Sequence, residues 1–90
     1  MLGTRRRAEV VTIIATYRRP DGLVEAVRSA LAQGIDDHLV VVVDDGGGLP
    51  ALPADRRVVV LSLSRNYGCL GMVRNVGIRL TDSRVLSFLD

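Results

Sequence analysis

The sequence predicts an α/β fold of three layers, in which helices cover both faces of a mainly parallel β-sheet. Short continuous runs rich in β-branched residues recur along the 90 residues, and such runs are typical of strands buried on both faces. Stretches with apolar residues at helical spacing lie between these runs, so the order of elements is β-α-β-loop-β-α-β. This alternation requires crossover connections, which are right-handed in parallel sheets.

Four segments are predicted to be strands because each is a short run of Val, Ile and Leu. They are residues 10–16, 39–43, 58–63 and 85–89. The longest uninterrupted apolar run is residues 39–43, whereas a membrane-spanning helix needs about 20 apolar residues. The sequence therefore predicts no transmembrane helix.

Two segments are predicted to be helices. In residues 20–33, apolar side chains recur at helical spacing, Pro20 suits the first turn and Gly34 suits the position after the last turn. A second helix is predicted over about residues 69–80, where apolar residues fall on one face. Residues 81–83 then predict a turn before the last strand.

Two other stretches lack a clear pattern. Residues 46–57 carry three glycines and two prolines without periodicity, which fits either a surface loop or a degraded helix. Residues 1–9 are expected to form a flexible N-terminus. His38, which follows two aspartates, is interpreted as a turn residue because no second histidine or cysteine lies at metal-ligand spacing.

Composition narrows the classes of function. Hydrophobic residues make up 48% and charged residues 24% of the chain, close to globular averages, which argues against disorder. A net charge of +2 and an aromatic content of 3% are low for a nucleic-acid-binding protein, so no nucleic-acid partner is expected.

The apolar stretch at residues 10–15 is too short for an export signal. The sequence therefore predicts a cytoplasmic location, at the inner face of a membrane in a longer protein.

Ligands of parallel α/β sheets bind where the strands end. Thr16 and Tyr17 end the first predicted strand, and the turn after them has neither GxGxxG nor GxxxxGK[ST], so dinucleotide and Walker-type sites are not expected. Asp44 and Asp45 follow the second strand. Their carboxylates can accept hydrogen bonds from a base, from ribose hydroxyls or from metal-bound water. Alternatively, with Gly46 they form a simple turn.

The later strands also precede polar residues. Arg74 can pair with phosphate in a bidentate way and Asn75 can brace a loop, or both can be ordinary helix residues. Asp90 follows the fourth strand. A carboxylate there would converge with Asp44 and Asp45, and Mg²⁺ and Mn²⁺ favour such oxygen ligands.

Together these pieces resemble the opening of family-2 glycosyltransferases, over residues 10–90. The matching strings are TIIATYRRP (12–20), LVEAVRSALAQ (23–33), VDDG (43–46), NYG (66–68), VRNVGI (73–78) and SFLD (87–90). The chain departs from the family at Gly47 and Gly48, since the family commonly has Ser after the Asp-Asp-Gly sequence. A looser loop is therefore expected there.

The resemblance implies the GT-A fold, in which a Rossmann-like nucleotide-binding half precedes an acceptor-binding half. Residues 10–90 would be the nucleotide-sugar-binding half of a domain that is incomplete at its C-terminus. The implied reaction is inverting transfer of a sugar from a nucleoside-diphosphate donor, expected to be UDP-linked, to an acceptor hydroxyl, with Mg²⁺ or Mn²⁺. The implied residues at the donor nucleotide are Thr16, Tyr17, Asp44, Asp45, Arg74, Asn75 and Asp90, and Asp90 is also an indirect metal ligand.

No catalytic residue is expected within the chain, because the family places its general base downstream of Asp90, and the 90 residues alone are expected to be inactive. The sequence does not specify the acceptor, and membrane contact is expected only through parts outside these residues. A non-catalytic nucleotide-binding or structural domain is the alternative. A nucleotidyltransferase is a third, but residues 16–19 supply its arginines without its glycines.

Overall fold

Residues 6–89 are described by a computed structural model, in which four parallel strands form one sheet with a helix on each face. The elements are β1 (Arg6–Thr16), α1 (Pro20–Leu31), β2 (His38–Asp44), β3 (Val58–Ser62), α2 (Leu70–Arg79) and β4 (Thr81–Phe88). The order of strands in the sheet is β3-β2-β1-β4. The predicted three-layer α/β class is confirmed.

Three of the strands, β1, β2 and β3, end level with one another at the carboxyl edge of the sheet. Thr16 at the end of β1 lies opposite Asp44 at the end of β2, and Asp44 lies opposite Ser62 of β3. β4 pairs with β1 as far as Phe88, which lies opposite Ile13. This arrangement brings the connections after β1, β2 and β3 to one place.

Each face of the sheet has its own apolar cluster, because successive residues of a strand point to opposite faces. Ile13 belongs to the cluster that contains Val73 of α2, whereas Ile14 belongs to the cluster that contains Val27 of α1. Every residue of β2 is buried. A strand covered on both faces accepts apolar residues at every position, which explains the continuous valine run of β2.

Helices form at the two segments where apolar residues recur at helical spacing, and each helix is shorter than predicted. α1 begins at Pro20 as predicted and ends at Leu31, and Gly34 follows with a φ of +73°. α2 lies very close to the sheet at Gly77, where a Cβ atom would be 3.1 Å from two side-chain carbons of Ile13. Neither helix within residues 6–89 has the length and apolar character needed to cross a membrane.

The outer pair β1–β4 is longer than predicted at its amino end. Arg6 lies opposite Thr81 and Arg7 opposite Asp82, so residues 81–83 belong to the strand and the prediction of a turn there is wrong. Polar residues are tolerated in β4 because it is an edge strand. Arg7 of β1 forms an ion pair with Asp82 of β4 at 3.4 Å. Residues 6–9, expected to be flexible, are part of β1, while residues 1–5 lie outside the described residues.

The connection between β2 and β3 is an irregular loop, which decides between the two alternatives for residues 46–57. Leu49 and Leu52 pack against the cluster on the α1 face. Near the end of the loop, Asp55 and Arg57 form an ion pair at 2.8 Å. The hydrogen bonds from the side chain and backbone N–H of Arg57 lower the pKa of Asp55 to about 2.

His38 is the first residue of β2 and is buried, so its interpretation as a turn residue is wrong. Its Nε2 lies 2.7 Å from the hydroxyl oxygen of Thr12 on β1. Within the described part of the chain its Nδ1 has no hydrogen-bond partner. Burial, together with the charge of Arg57, lowers the pKa of His38 and favours the neutral ring.

Candidate functional site

A cleft of about 300 Å³ lies at the carboxyl edge of the sheet, between the end of β1 and the start of α2. Its polar lining comes from Thr16, Tyr17, Arg19, Asp45 and Asn66. Ala15, Gly68, Leu70 and Val73 complete the lining. The volume is at the lower end of the range for small-molecule sites, and the mixture of an aromatic ring with a few polar groups is typical of them.

Asp44 organises the beginning of the β2–β3 loop. Its side chain is 2% exposed, and its Oδ1 and Oδ2 accept the N–H groups of Gly47 and Gly48, each at 3.0 Å. This is the turn that was the alternative interpretation of the Asp-Asp-Gly sequence. The backbone N–H groups of both glycines at the predicted looser loop are held by this carboxylate.

Asp45 joins three connections at the edge of the sheet. Its N–H donates to the carbonyl oxygen of Thr16 at 2.8 Å, which fixes it beside β1. Its Oδ1 accepts the N–H of Tyr67 at 2.9 Å and its Oδ2 accepts the N–H of Gly68 at 3.0 Å. Each carboxylate oxygen has two lone-pair sites, so Asp45 can still accept a hydrogen bond from a ligand in the cleft.

Gly46 allows the β3–α2 loop to pack directly on the β2–β3 loop. Its φ is +88°, and a Cβ atom there would lie 2.5 Å from the carbonyl carbon of Arg65 and 2.7 Å from the backbone N of Asn66. A side chain at this position would therefore collide with backbone. The Asp-Gly sequence is needed both for the turn and for this close approach.

Arginine side chains stack on the aromatic rings around the cleft. The guanidinium of Arg18 lies 5.2 Å from the ring centroid of Tyr17, and that of Arg65 lies 4.6 Å from the ring centroid of Tyr67. Hydrogen bonds from Arg65 and then from Ser64 lower the pKa of the Tyr67 hydroxyl. Arg19 in the lining offers a positive charge to an anionic ligand, beside the carboxylate of Asp45.

The sequence profile of glycosyl transferase family 2 matches residues 11–90. The chain belongs to glycosyl transferase family 2. The succinoglycan biosynthesis protein ExoO of Rhizobium meliloti (strain 1021) is 41% identical to it over 87 residues, which cover 91% of this chain and 25% of that protein. The chain thus spans about a quarter of the length of this curated relative.

Of the residues that the family resemblance implied, three line the cleft, namely Thr16, Tyr17 and Asp45. Asp44 is not part of the lining and fixes the loop after β2. Asp90 lies outside the described residues. The rule that ligands bind where parallel strands end, called here the strand-end rule, therefore predicted part of the cleft lining in this family-2 chain.

The two α2 residues, Arg74 and Asn75, are not brought into the cleft lining. Arg74 is half-buried with its guanidinium 5.3 Å from the ring centroid of Phe88, and Asn75 is exposed. Sequence reasoning missed Arg19, Asn66 and Leu70, which do line the cleft. Arg19 and Asn66 lie within four residues of a strand end, so the same rule, applied to whole connections, would have included them.

The described part of the chain does not by itself fit a metal centre. Within residues 6–89 no three or more His, Cys, Asp or Glu side chains are grouped to hold a metal ion. Asp44 and Asp45 are the two carboxylates at the correct edge, and both hold loops there through backbone N–H groups. The predicted indirect metal ligand, Asp90, lies outside the described residues.

Proposed function

We propose that this chain binds the nucleoside-diphosphate sugar, UDP-linked, of a family-2 glycosyltransferase that transfers the sugar with inversion to an acceptor hydroxyl. One observation carries the proposal. Thr16, Tyr17 and Asp45, which come from two separate family segments, line one cleft at the edge where parallel α/β sheets bind ligands. The 90 residues alone are proposed to be inactive, because the family resemblance implies a general base downstream of Asp90.

The chemistry of the cleft supports recognition of a base at one side. Tyr17 is 36% exposed, and its ring offers a flat surface on which a base can stack. Asp45 retains lone pairs that can accept a ring N–H, as the N3–H of uracil would supply. A backbone hydrogen bond fixes Thr16 beside Asp45. Because Tyr17 directly follows Thr16, its ring and the carboxylate of Asp45 are held at a fixed separation.

The arginines support a diphosphate at the other side. A leaving diphosphate carries negative charge that must be stabilised as the glycosidic bond breaks. Arg19 lines the cleft, and Arg74 and Asn75 on α2 are proposed to act beside the donor. Asp44 acts through the turn that it holds. A bound Mg²⁺ or Mn²⁺, with Asp90 as an indirect ligand, would supply further electrostatic stabilisation of the diphosphate.

The relative supports a role in biosynthesis, since its name assigns it to succinoglycan biosynthesis. A cytoplasmic location is part of the proposal.

Titration calorimetry with UDP and Mn²⁺ tests the proposal. The wild type should bind UDP, and Asp45→Asn should bind about tenfold more weakly, since about 1.4 kcal/mol corresponds to one charge-assisted hydrogen bond. Asp36→Asn, an exposed carboxylate before β2, is the matched control and should bind within about twofold of the wild type. Circular dichroism confirms that each variant is folded.

Folded wild-type protein that gives no heat with UDP would favour the structural-domain alternative. Equal binding by Asp45→Asn and the wild type would remove Asp45 from the donor site. Incubation of the chain with UDP-sugars should give no transfer, and measurable sugar transfer by these 90 residues would contradict the proposed absence of a base.

A further inference from the structure

Gly47 lies directly against the connection between β1 and α1. A Cβ atom at this position would be 2.9 Å from the Cδ1 atom of Tyr17 and 2.9 Å from both the backbone N and the Cγ of Arg18. Distances below 3.0 Å are essentially never seen for real Cβ atoms. The observed approach of the two loops therefore requires a residue without a side chain at position 47.

The requirement at Gly47 is one of space. Its neighbours Gly46 and Gly48 have a φ of +88°, whereas Gly47 is not among the positive-φ residues. An alanine could adopt the backbone conformation of Gly47 and would still meet Tyr17 and Arg18. Because the N–H of Gly47 is held by Asp44 Oδ1 at 3.0 Å, the β2–β3 loop cannot easily move away.

The connection on the other side of this contact is strained. Arg18 has a φ of +50°, a left-handed conformation that is uncommon outside glycine. The turn at Arg18 places its two neighbours, Tyr17 and Arg19, in the lining of the cleft. A strained turn persists only where its surroundings hold it, so the packing against Gly47 has a direct effect on the position of the Tyr17 ring.

We propose that Gly47 is a positioning residue for nucleotide recognition, because it fixes the Tyr17 ring at the mouth of the cleft. This inference rests on the proposed function, in which Tyr17 stacks on the base. A side chain at position 47 displaces the Tyr17 ring while leaving Asp45 and its hydrogen bonds in place. The base contact is then weakened without a change in the rest of the fold.

The test is a double-mutant cycle between Gly47→Ala and Tyr17→Leu, read by UDP titration in the intact protein. Gly47→Ala should weaken UDP binding about tenfold, the size expected when one overpacked contact displaces a binding group. In the Tyr17→Leu background, Gly47→Ala should change the affinity by less than about twofold, because the ring that it displaces is already absent. Gly71→Ala is the matched control, since a Cβ at Gly71 meets no atom within 4 Å.

A nuclear Overhauser contact between the Gly47 Hα protons and the Tyr17 ring protons separates the positioning role from the proposed function. The contact should be present in the ligand-free wild type, and its absence would overturn the inference whether or not UDP binds. If the contact is present and the wild type binds no UDP, both the proposed donor and the recognition role of Gly47 fail, and only the packing contact stands.

Two further outcomes would also overturn the inference. One is unchanged UDP affinity in folded Gly47→Ala. The other is an equal loss from Gly47→Ala with and without the Tyr17 ring. If Gly47→Ala does not fold, Tyr17→Leu alone decides: it should weaken UDP binding about tenfold, and wild-type affinity would refute the role of the ring.

Discussion

The carboxylate of Asp45 accepts the backbone N–H of Gly68 at 3.0 Å, across 23 residues of sequence. The bond joins the end of β2 to the loop before α2, and the N–H of Tyr67 makes a second bond of the same kind. One side chain thus lines the cleft and also holds part of its wall. Loss of this carboxylate should be visible in the free protein, before any ligand is added.

Asp45→Asn should lower the free energy of unfolding by roughly 1–3 kcal/mol, because the amide nitrogen cannot accept one of the two N–H groups. The amide protons of Tyr67 and Gly68 should then exchange with solvent faster than in the wild type. Urea denaturation and amide hydrogen exchange measure the two effects. Asp36→Asn is the control, and equal exchange at residues 67 and 68 in both variants would show that Asp45 does not hold the loop.

The stability of the protein should depend on His38 below neutral pH. Burial lowers the pKa of His38 in the folded state, so the unfolded chain, with a pKa of 6.5, binds more protons as the solution is acidified. The stabilisation is complete above pH 6.5 and is lost as the pH falls towards the folded-state pKa. One titrating group contributes a slope of no more than about 1.4 kcal/mol per pH unit.

Urea denaturation between pH 7.5 and pH 5 measures this slope in the wild type and in His38→Gln, whose side chain can still pair with Thr12. The chain has a single histidine, so the difference between the two slopes reports His38 alone. The slope should be smaller in the variant. Identical slopes would mean that the ring titrates in the same way in the folded and unfolded states.

The ion pair at the end of the β2–β3 loop should be measurable as a carboxylate titration. In the wild type the pKa of Asp55 is about 2, first because the Arg57 side chain donates hydrogen bonds to the carboxylate. Arg57→Gln should raise that pKa towards the ordinary value of 3.8. Carbon-detected NMR titration of the Asp55 carboxyl provides the measurement, with Arg56→Gln as a neighbouring control. A larger change in the Arg56 variant would contradict the assignment.

Gly77 should be intolerant of a large side chain because α2 lies so close to the sheet there. Gly77→Leu should lower the free energy of unfolding by roughly 1–3 kcal/mol, since its side chain must displace Ile13 and Val43. Gly71→Ala, in the open first turn of the same helix, should instead raise it by up to about 1 kcal/mol. Thermal denaturation distinguishes the two, and a Gly77→Leu protein as stable as the wild type would show that α2 can move outward.

The sequence allowed the central elements of the fold to be predicted well and the edge poorly. β2 is buried along its whole length, so its residues are apolar and the pattern is clear. β4 is paired on one side only, and its first residues are polar. Thr81 is buried and its hydroxyl donates to the carbonyl oxygen of Gly77 at 2.9 Å, whereas Asp82 is exposed. Thr81 and Asp82 have the composition of a turn, although their pairing with Arg6 and Arg7 makes them a strand.

The candidate site could also be predicted only in part. The strand-end rule placed Asp44 and Asp45 at the correct edge, but it could not distinguish the carboxylate that closes a turn from the one that lines the cleft. Adjacent residues at a strand end point in different directions, and the choice depends on whether the strand ends at Asp44 or Asp45. Arg74 is predicted to lie beside the donor, and its stacking on Phe88 depends on contacts between elements that sequence spacing does not contain.

The strand order has a consequence for how the chain acquires its structure during synthesis. β1 and β2 can pair as soon as residues 6–44 have left the ribosome, because α1 supplies their crossover. The other neighbour of β1 is β4, which is synthesised after β2 and β3 and must return across 75 residues to place Thr81 beside Arg6. Non-local pairing of this kind is slow. Until it occurs, one edge of the central strand stays open, so the nascent chain should depend most on chaperones in this interval.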